Sequence, residues 1–301
     1  YVSGNRSFNW VNSFALSADW LLTAGVDAQH QSINADDGFG GLYARQRKVK
    51  AVFAGIQGQH GPHSVQLNWR NDRVEGVKAE STGFIGYGLA FNPQWKLTAS
   101  TSSAFHIAPL GYLHAPSFGN ALLQPEKARS HEIGLQWSQE ASVLRATVFE
   151  TESRNLFEYD NATSRFENVA RTRNSGLEIS FSGKLGSTEV RASVTSQNPR
   201  DLRTGQALNR RADTLAALSL TQAIGAWQLG ADMTHTGSRR DDKRQLASYA
   251  VVDLRARYVI SRELEAYGRI ENLFDTQYQT VYGYNQAGRG LFMGLSWRPK
   301  F

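Results

Sequence analysis

The chain has 301 residues, of which 41% are hydrophobic and 20% charged, and it contains no cysteine. It is too polar for a bundle of membrane helices and too apolar for a disordered chain, and disulfide frameworks, thiolate metal sites and cysteine nucleophiles are excluded. Lys and Arg total 33 against 27 Asp and Glu, a net charge of +6, but the surplus is scattered and forms no basic stripe of the nucleic-acid-binding kind.

No run approaches the ~18 consecutive apolar residues of a spanning helix. The chain opens on Tyr1-Val2-Ser3-Gly4, without a basic and then apolar leader, so its start is read as processed or truncated. Period-two alternation dominates from there onward. Trp20, Leu22, Ala24, Val26 and Ala28 alternate with mostly polar residues, as do Val65/Leu67/Trp69, Ile133/Leu135/Trp137, Leu177/Ile179/Phe181, Trp227/Leu229/Ala231/Met233, Ala250/Val252/Leu254/Ala256/Tyr258 and Leu291/Met293/Leu295/Trp297. The pattern predicts about fifteen strands, near residues 5–16, 19–30, 46–58, 63–71, 79–91, 94–104, 128–138, 142–152, 172–184, 187–197, 210–221, 225–237, 248–260, 263–272 and 288–301. Most are close to the ~9–11 residues with which a tilted strand crosses a bilayer.

Connection lengths separate a membrane barrel from a soluble sandwich, which would also alternate. Short turns (Ser17-Ala18, Gln59 to His63, Asn92-Pro93, Gln139 to Ala141, Leu185-Gly186, Ala223-Ile224, Ser261-Arg262) alternate with long polar loops (31–45, 72–78, 105–127, 153–171, 198–209, 238–247, 273–287). Short periplasmic turns and long extracellular loops are the outer-membrane pattern. Trp20, Trp95, Trp137, Trp227 and Tyr258 lie on the apolar face within about three residues of a short turn, with Trp297 near the terminus, as an interfacial girdle requires. The expected fold is all-β: a transmembrane antiparallel β-barrel, one unit over residues 1–301. An odd strand count does not close an ordinary bacterial barrel, so the chain is expected to be the carboxyl-terminal part of a larger one.

The segment Leu123-Gln124-Pro125-Glu126-Lys127-Ala128-Arg129-Ser130-His131-Glu132-Ile133-Gly134-Leu135 resembles an L-x-P-E…E-x-G-l element of TonB-dependent outer-membrane receptors. Asn272-Leu273-Phe274-Asp275, followed by Tyr278, Gly288-Arg289 and a terminal Phe301, resembles their closing signature. Arg173-Asn174-Ser175-Gly176-Leu177-Glu178 is similar to their N-x-G-x-E strand, and Ala104-Phe105-His106-Ile107-Ala108-Pro109 to an F-x-A-P loop entry with one extra residue. The resemblance implies a ~22-stranded barrel with a plugged lumen, these strands being the last fifteen and the plug domain absent. It implies energy-coupled import in the outer membrane of a Gram-negative bacterium, with no enzymatic chemistry. The expected partners are the TonB energy-coupling complex in the periplasm, the barrel-assembly machinery through the strand ending at Phe301, and outer-membrane lipid and lipopolysaccharide. A small-molecule ligand completes the set, and no nucleic acid is expected.

Within that family, Tyr278 to Arg289 and Asn209-Arg210-Arg211-Ala212 are most similar to the vitamin B12 (cobalamin) receptors. That resemblance gives Tyr284, Tyr282 and Arg210 or Arg211 the corrinoid contacts, with Phe105, Tyr112 and His114 on a second loop. No resident cofactor is expected. Calcium-binding acidic loops would belong near the early strands, and Asp36-Asp37-Gly38 alone does not make one. Alternatives stay open: a haem receptor with an axial imidazole at His106 or His114, a siderophore receptor, or a passive porin-type channel. The basic tip Arg239, Arg240, Lys243 and Arg244 reads as a solvated or lipopolysaccharide-contacting loop, and Asp253, Arg255, Arg257, Glu265, Arg269 and Glu271 as cross-strand ion pairs on the lumen wall.

Overall fold

The computed structural model describes residues 1–160, 162–169 and 171–299, so Phe301 and its terminal role lie outside the described residues. Fifteen long strands form one antiparallel meander in which each strand pairs with its neighbours in sequence. They are β1 (Val2–Ala15), β2 (Trp20–Asp36), β3 (Leu42–His60), β4 (His63–Val74), β5 (Glu80–Ala90), β6 (Trp95–His106), β7 (Glu126–Gln139) and β8 (Ser142–Arg154). There follow β9 (Thr172–Leu185), β10 (Thr188–Gln197), β11 (Thr214–Ile224), β12 (Trp227–Thr236), β13 (Tyr249–Val259), β14 (Leu264–Glu271) and β15 (Gly290–Trp297). Among the described residues β1 and β15 do not pair with each other, so the sheet has two open edges.

Register turns the period-two pattern into a continuous outer wall. Ala99, Ile133, Val148 and Leu177 stand opposite one another across β6 to β9, and Ala231, Leu254, Ile270 and Leu291 do so across β12 to β15. No protein covers this face: Ile133 is 62% exposed and Val148 60%. No large side chain is fully buried among the described residues, which removes the inter-sheet core of a sandwich. The girdle is aligned as well. Trp95 faces Trp137, and Trp227 faces Tyr258 with ring centroids 4.6 Å apart. The Trp20 indole lies where a Cβ at Gly58 would come within 2.4 Å, so this rung needs glycine opposite the ring.

Two-residue turns at 61–62, 186–187 and 225–226 each begin with a glycine at positive φ, the backbone such hairpins require. At the other end the expected loops 31–45 and 72–78 are largely strand. Pairing runs unbroken from Gln31↔Arg47 to Asp36↔Leu42, leaving 37–41 as the connection, because a hydrogen-bonded ladder continues into water without apolar alternation. The loops 107–125, 155–171, 198–213, 237–248 and 272–289 are long as expected. They carry one short helix, α1 (Leu110–His114), and three small hairpins: Leu156–Asp160 with Arg165–Val169, Arg239–Asp241 with Arg244–Leu246, and Gln279–Val281 with Tyr284–Asn285.

The lumen charges depart from the sequence reading in part. Arg257 pairs across strands with Glu265 at 3.3 Å and Arg255 with Asp232, but Arg269 bonds Glu271 on its own strand. Asp253 instead accepts the backbone N–H of Asn272 at 2.8 Å.

Candidate functional site

The long-loop end carries two separate clusters. In the first, Asp37 ties the 37–41 connection to the loop bearing α1. One carboxylate oxygen accepts the N–H groups of Phe39 and Gly41, both at 2.9 Å, and the other accepts that of Ser117 at 2.9 Å. The Ser117 hydroxyl and these amides hold its pKa down to about 2. Arg47 is buried and has no acidic partner among the described residues. Its guanidinium donates twice to Gln31 Oε1, at 3.0 and 2.7 Å, and once to the Ala108 carbonyl at 2.7 Å. A cavity of about 500 Å³ opens beside it, walled by Tyr43, Gly111, Tyr112 and Phe118.

Tyr112 stacks on Phe166 with centroids 3.6 Å apart and planes 11° apart, and Phe166 meets Tyr159 and Phe118 edge-on. The Pro-Glu element supports this aromatic group. Glu126 bonds His106 Nδ1 at 3.0 Å and the Phe157 N–H at 2.7 Å, while Gln124 and Asn168 exchange two hydrogen bonds at 2.7 and 2.8 Å. His106 is therefore committed to Glu126. His114 is half-buried, and burial first, then the charges of Arg45 and Arg47, lower its pKa and keep the imidazole neutral. Phe105 falls away from this group: it alternates with Ala99, Thr101 and Ser103, which share the outward face, and it stands opposite Lys127.

The second cluster binds three loops through Asp241. Its carboxylate accepts Arg210 Nε at 2.6 Å and the Tyr282 N–H at 2.8 Å, and both interactions hold its pKa below the usual carboxylate value. Arg210 N–H also donates to the Arg240 carbonyl at 2.6 Å, and Arg240 reaches Gln206 at 2.6 Å. Arg239, read from sequence as part of a solvated tip, is buried and donates to the Gln279 carbonyl at 2.6 Å. It also lies over the Tyr249 ring, which packs on Tyr278 with centroids 4.3 Å apart. The reason for the difference is that the acid within Arg239-Arg240-Asp241-Asp242 is shared with neighbouring loops.

This clasp divides the residues singled out from sequence. Arg210 is structural glue, whereas Arg211 is exposed with no hydrogen bond among the described residues. Tyr282 is covered on one face by Arg244, its guanidinium carbon 5.1 Å from the ring centroid, while Tyr284 stands 70% exposed. No hydrogen bond joins this cluster to that of Tyr112 and His114 among the described residues.

The closing signature is a latch beneath the last loop. Asn272 and Asp275 take positive φ, where Asn and Asp are better tolerated than most side chains. Asn272 bonds the backbone of Thr276 and Ala287, and Asp275 accepts the Arg289 N–H at 2.9 Å. A family model described as "TonB dependent receptor-like, beta-barrel" matches residues 1–273. The chain belongs to this family. Its relatives include the vitamin B12 transporter of Vibrio cholerae serotype O1, 26% identical over 97% of this chain and 49% of that protein. The Vibrio vulnificus vitamin B12 transporter is 24% identical over 98% of this chain and 50% of its own length. The chain thus spans about half the length of the curated relatives it matches. Among solved structures, a ferric enterobactin receptor of Pseudomonas aeruginosa superposes with a TM-score of 0.82 at 17% identity, covering 99% of this chain and 54% of that one. The copper transporter OprC does so with a TM-score of 0.79 at 17% identity, over 98% and 56%. These structures share the fold.

Proposed function

We infer that the chain is barrel wall and ligand-capturing loops of an outer-membrane receptor for energy-coupled import, with cobalamin as its ligand. The observation that carries this reading is the Asp241 clasp, which presents Tyr284 and Arg211 unencumbered on one braced set of loops. A pre-positioned aromatic face and a free guanidinium suit a large ligand rimmed with amide carbonyls. The vitamin B12 transporters related along nearly the whole chain support the same ligand. The barrel does no bond chemistry: it holds the ligand, and a TonB complex on the periplasmic side supplies the energy for passage.

Titration of the intact protein in detergent tests the assignment. Tyr284→Ala and Arg211→Ala should each weaken cyanocobalamin binding by about 1–3 kcal/mol, the range for a well-used contact, while His114→Ala leaves it unchanged. A second reading rests on Arg47, a buried cation without an acid beside an aromatic-walled cavity, which fits an anionic iron chelate. If Arg47→Gln lowers ferric-catecholate binding tenfold or more and the wild type ignores cyanocobalamin, that reading replaces the first. Haem binding abolished by His114→Ala would assign the neutral imidazole as an iron ligand instead. Uptake that persists without TonB coupling would make the protein a passive channel.

A further inference from the structure

The outward face of β1 to β4 changes character abruptly at its long-loop end. Along β3, Arg47, Val49 and Ala51 are buried while Lys48, Lys50 and Val52 are exposed, so the two lysines stand on the side of the apolar wall. Register places other cations beside them. One rung reads Phe8, Ala28, Lys50, Arg73 across the four strands, and the next reads Arg6, His30, Lys48. Two adjacent rungs on four strands occupy a patch of about 14 by 7 Å.

Height along the strand gives the patch its meaning. Trp20 at the short-turn girdle pairs with Gly58, eight positions from Lys50 and ten from Lys48 along β3. At about 3.3 Å per residue and a tilt of about 40°, the lysines stand roughly 20 to 25 Å above the girdle, at the upper edge of an apolar band about 25 Å tall. Their stems lie against the hydrocarbon boundary and their charges reach the head-group layer.

Arg6, Lys48, Lys50 and Arg73 form no ion pair among the described residues. The nearby acids are used elsewhere: Asp27 and Asp72 hold Arg70 on the opposite face, and Glu75 accepts the Lys48 backbone N–H at 3.1 Å. The outward charges on β7 to β9 differ. There the rung Arg129, Glu152, Arg173 contains its own acid, and Glu152 binds Arg173 at 2.6 Å and Arg171 at 3.2 Å. A charge-balanced patch on one side of the wall and an unbalanced cationic one at the head-group level on the other call for an external anion at the second.

We propose that the patch of Arg6, His30, Lys48, Lys50 and Arg73 binds the phosphate groups of lipopolysaccharide in the outer leaflet. The inference depends on the outer-membrane placement of the barrel and not on which ligand is imported. Several cations spaced across neighbouring strands match a head group bearing more than one phosphate, and each contact is a charge-assisted hydrogen bond made partly out of water.

The test reconstitutes the intact protein in nanodiscs with lipopolysaccharide carrying its lipid A phosphates, or with the same lipid dephosphorylated, and measures lipid retained after detergent exchange by mass spectrometry. Wild type should retain the phosphorylated lipid at least tenfold over the dephosphorylated one. The variant K48Q/K50Q/R73Q should lose that preference, and the charge-retaining K48R/K50R/R73K should keep it, which separates loss of charge from loss of folding. Lys127→Gln, on the balanced side, should change nothing. Equal retention by wild type and the triple glutamine variant overturns the proposal, as does displacement of the lipid by inorganic phosphate at equal concentration, which would assign the patch to a soluble anion. Cyanocobalamin binding measured on the same samples reports separately on the imported ligand.

Discussion

Asp37 and Asp241 are short acids in polar loops, and each gathers hydrogen bonds from segments far apart in sequence. Because folding lowers their pKa, the stabilisation they give is present above the ordinary value of 3.8 and is lost as pH falls through the folded value, about 2 for Asp37. Acidification should therefore loosen the long-loop end before it touches the strands. The Ser117 amide resonance should move between pH 4 and 2, and Asp37→Asn should remove that movement while leaving strand resonances in place. A Ser117 signal indifferent to pH in the wild type would mean that Asp37 does not hold the α1 loop. Neither role was legible in the sequence, where Asp36-Asp37-Gly38 looks like a weak metal loop and Asp241 like part of a solvated tip. An acceptor that serves several remote amides has no local signature.

Strands were far more legible, because a wall with lipid on one side and polar lumen on the other imposes alternation on every strand it contains. Leu254 lies four positions above the Tyr258 girdle rung and near the middle of the apolar band, while its chain neighbour Arg255 faces inward to Asp232 and to Thr221 Oγ1 at 2.7 Å. Replacing Leu254 with Arg should cost on the order of 2–4 kcal/mol in refolding into bilayers. Ser193→Arg, facing the lumen, should cost less than about 1 kcal/mol, since that face already accommodates arginine. Ser193 is a cleaner control than Ser180, whose cross-strand neighbour is Arg145. Equal losses at the two positions would remove the distinction between lipid and lumen faces. Strand ends were less legible than strand centres: β2 and β3 run on past the apolar band, where hydrogen bonding alone sustains the ladder and the side chains carry no period to read.

For the molecule as a whole, the alternation of short turns and long loops fixes which end of the wall faces the outside of the cell, and every functional assignment depends on that direction. With no native cysteine, single introduced cysteines report on it without background. Leu122, 79% exposed, serves the α1 loop better than Tyr112, whose ring is covered by Phe166. Tyr159, Thr204 and Tyr282 sample three further long loops, and Pro93 and Ser187 two short turns. Ser187 is preferred to its neighbour Gly186, because Gly186 has φ +62 and a side chain there would strain the turn. A membrane-impermeant maleimide applied to intact cells should label the first four positions and leave Pro93→Cys and Ser187→Cys untouched until the cells are lysed. Labelling of both sets alike would place both ends of the wall on one side of the membrane, which a spanning barrel does not allow. Labelling of the turns alone would invert the barrel, turning the Asp241 clasp and the Arg47 cavity toward the periplasm and leaving Tyr284 and Arg211 with no access to a ligand arriving from outside.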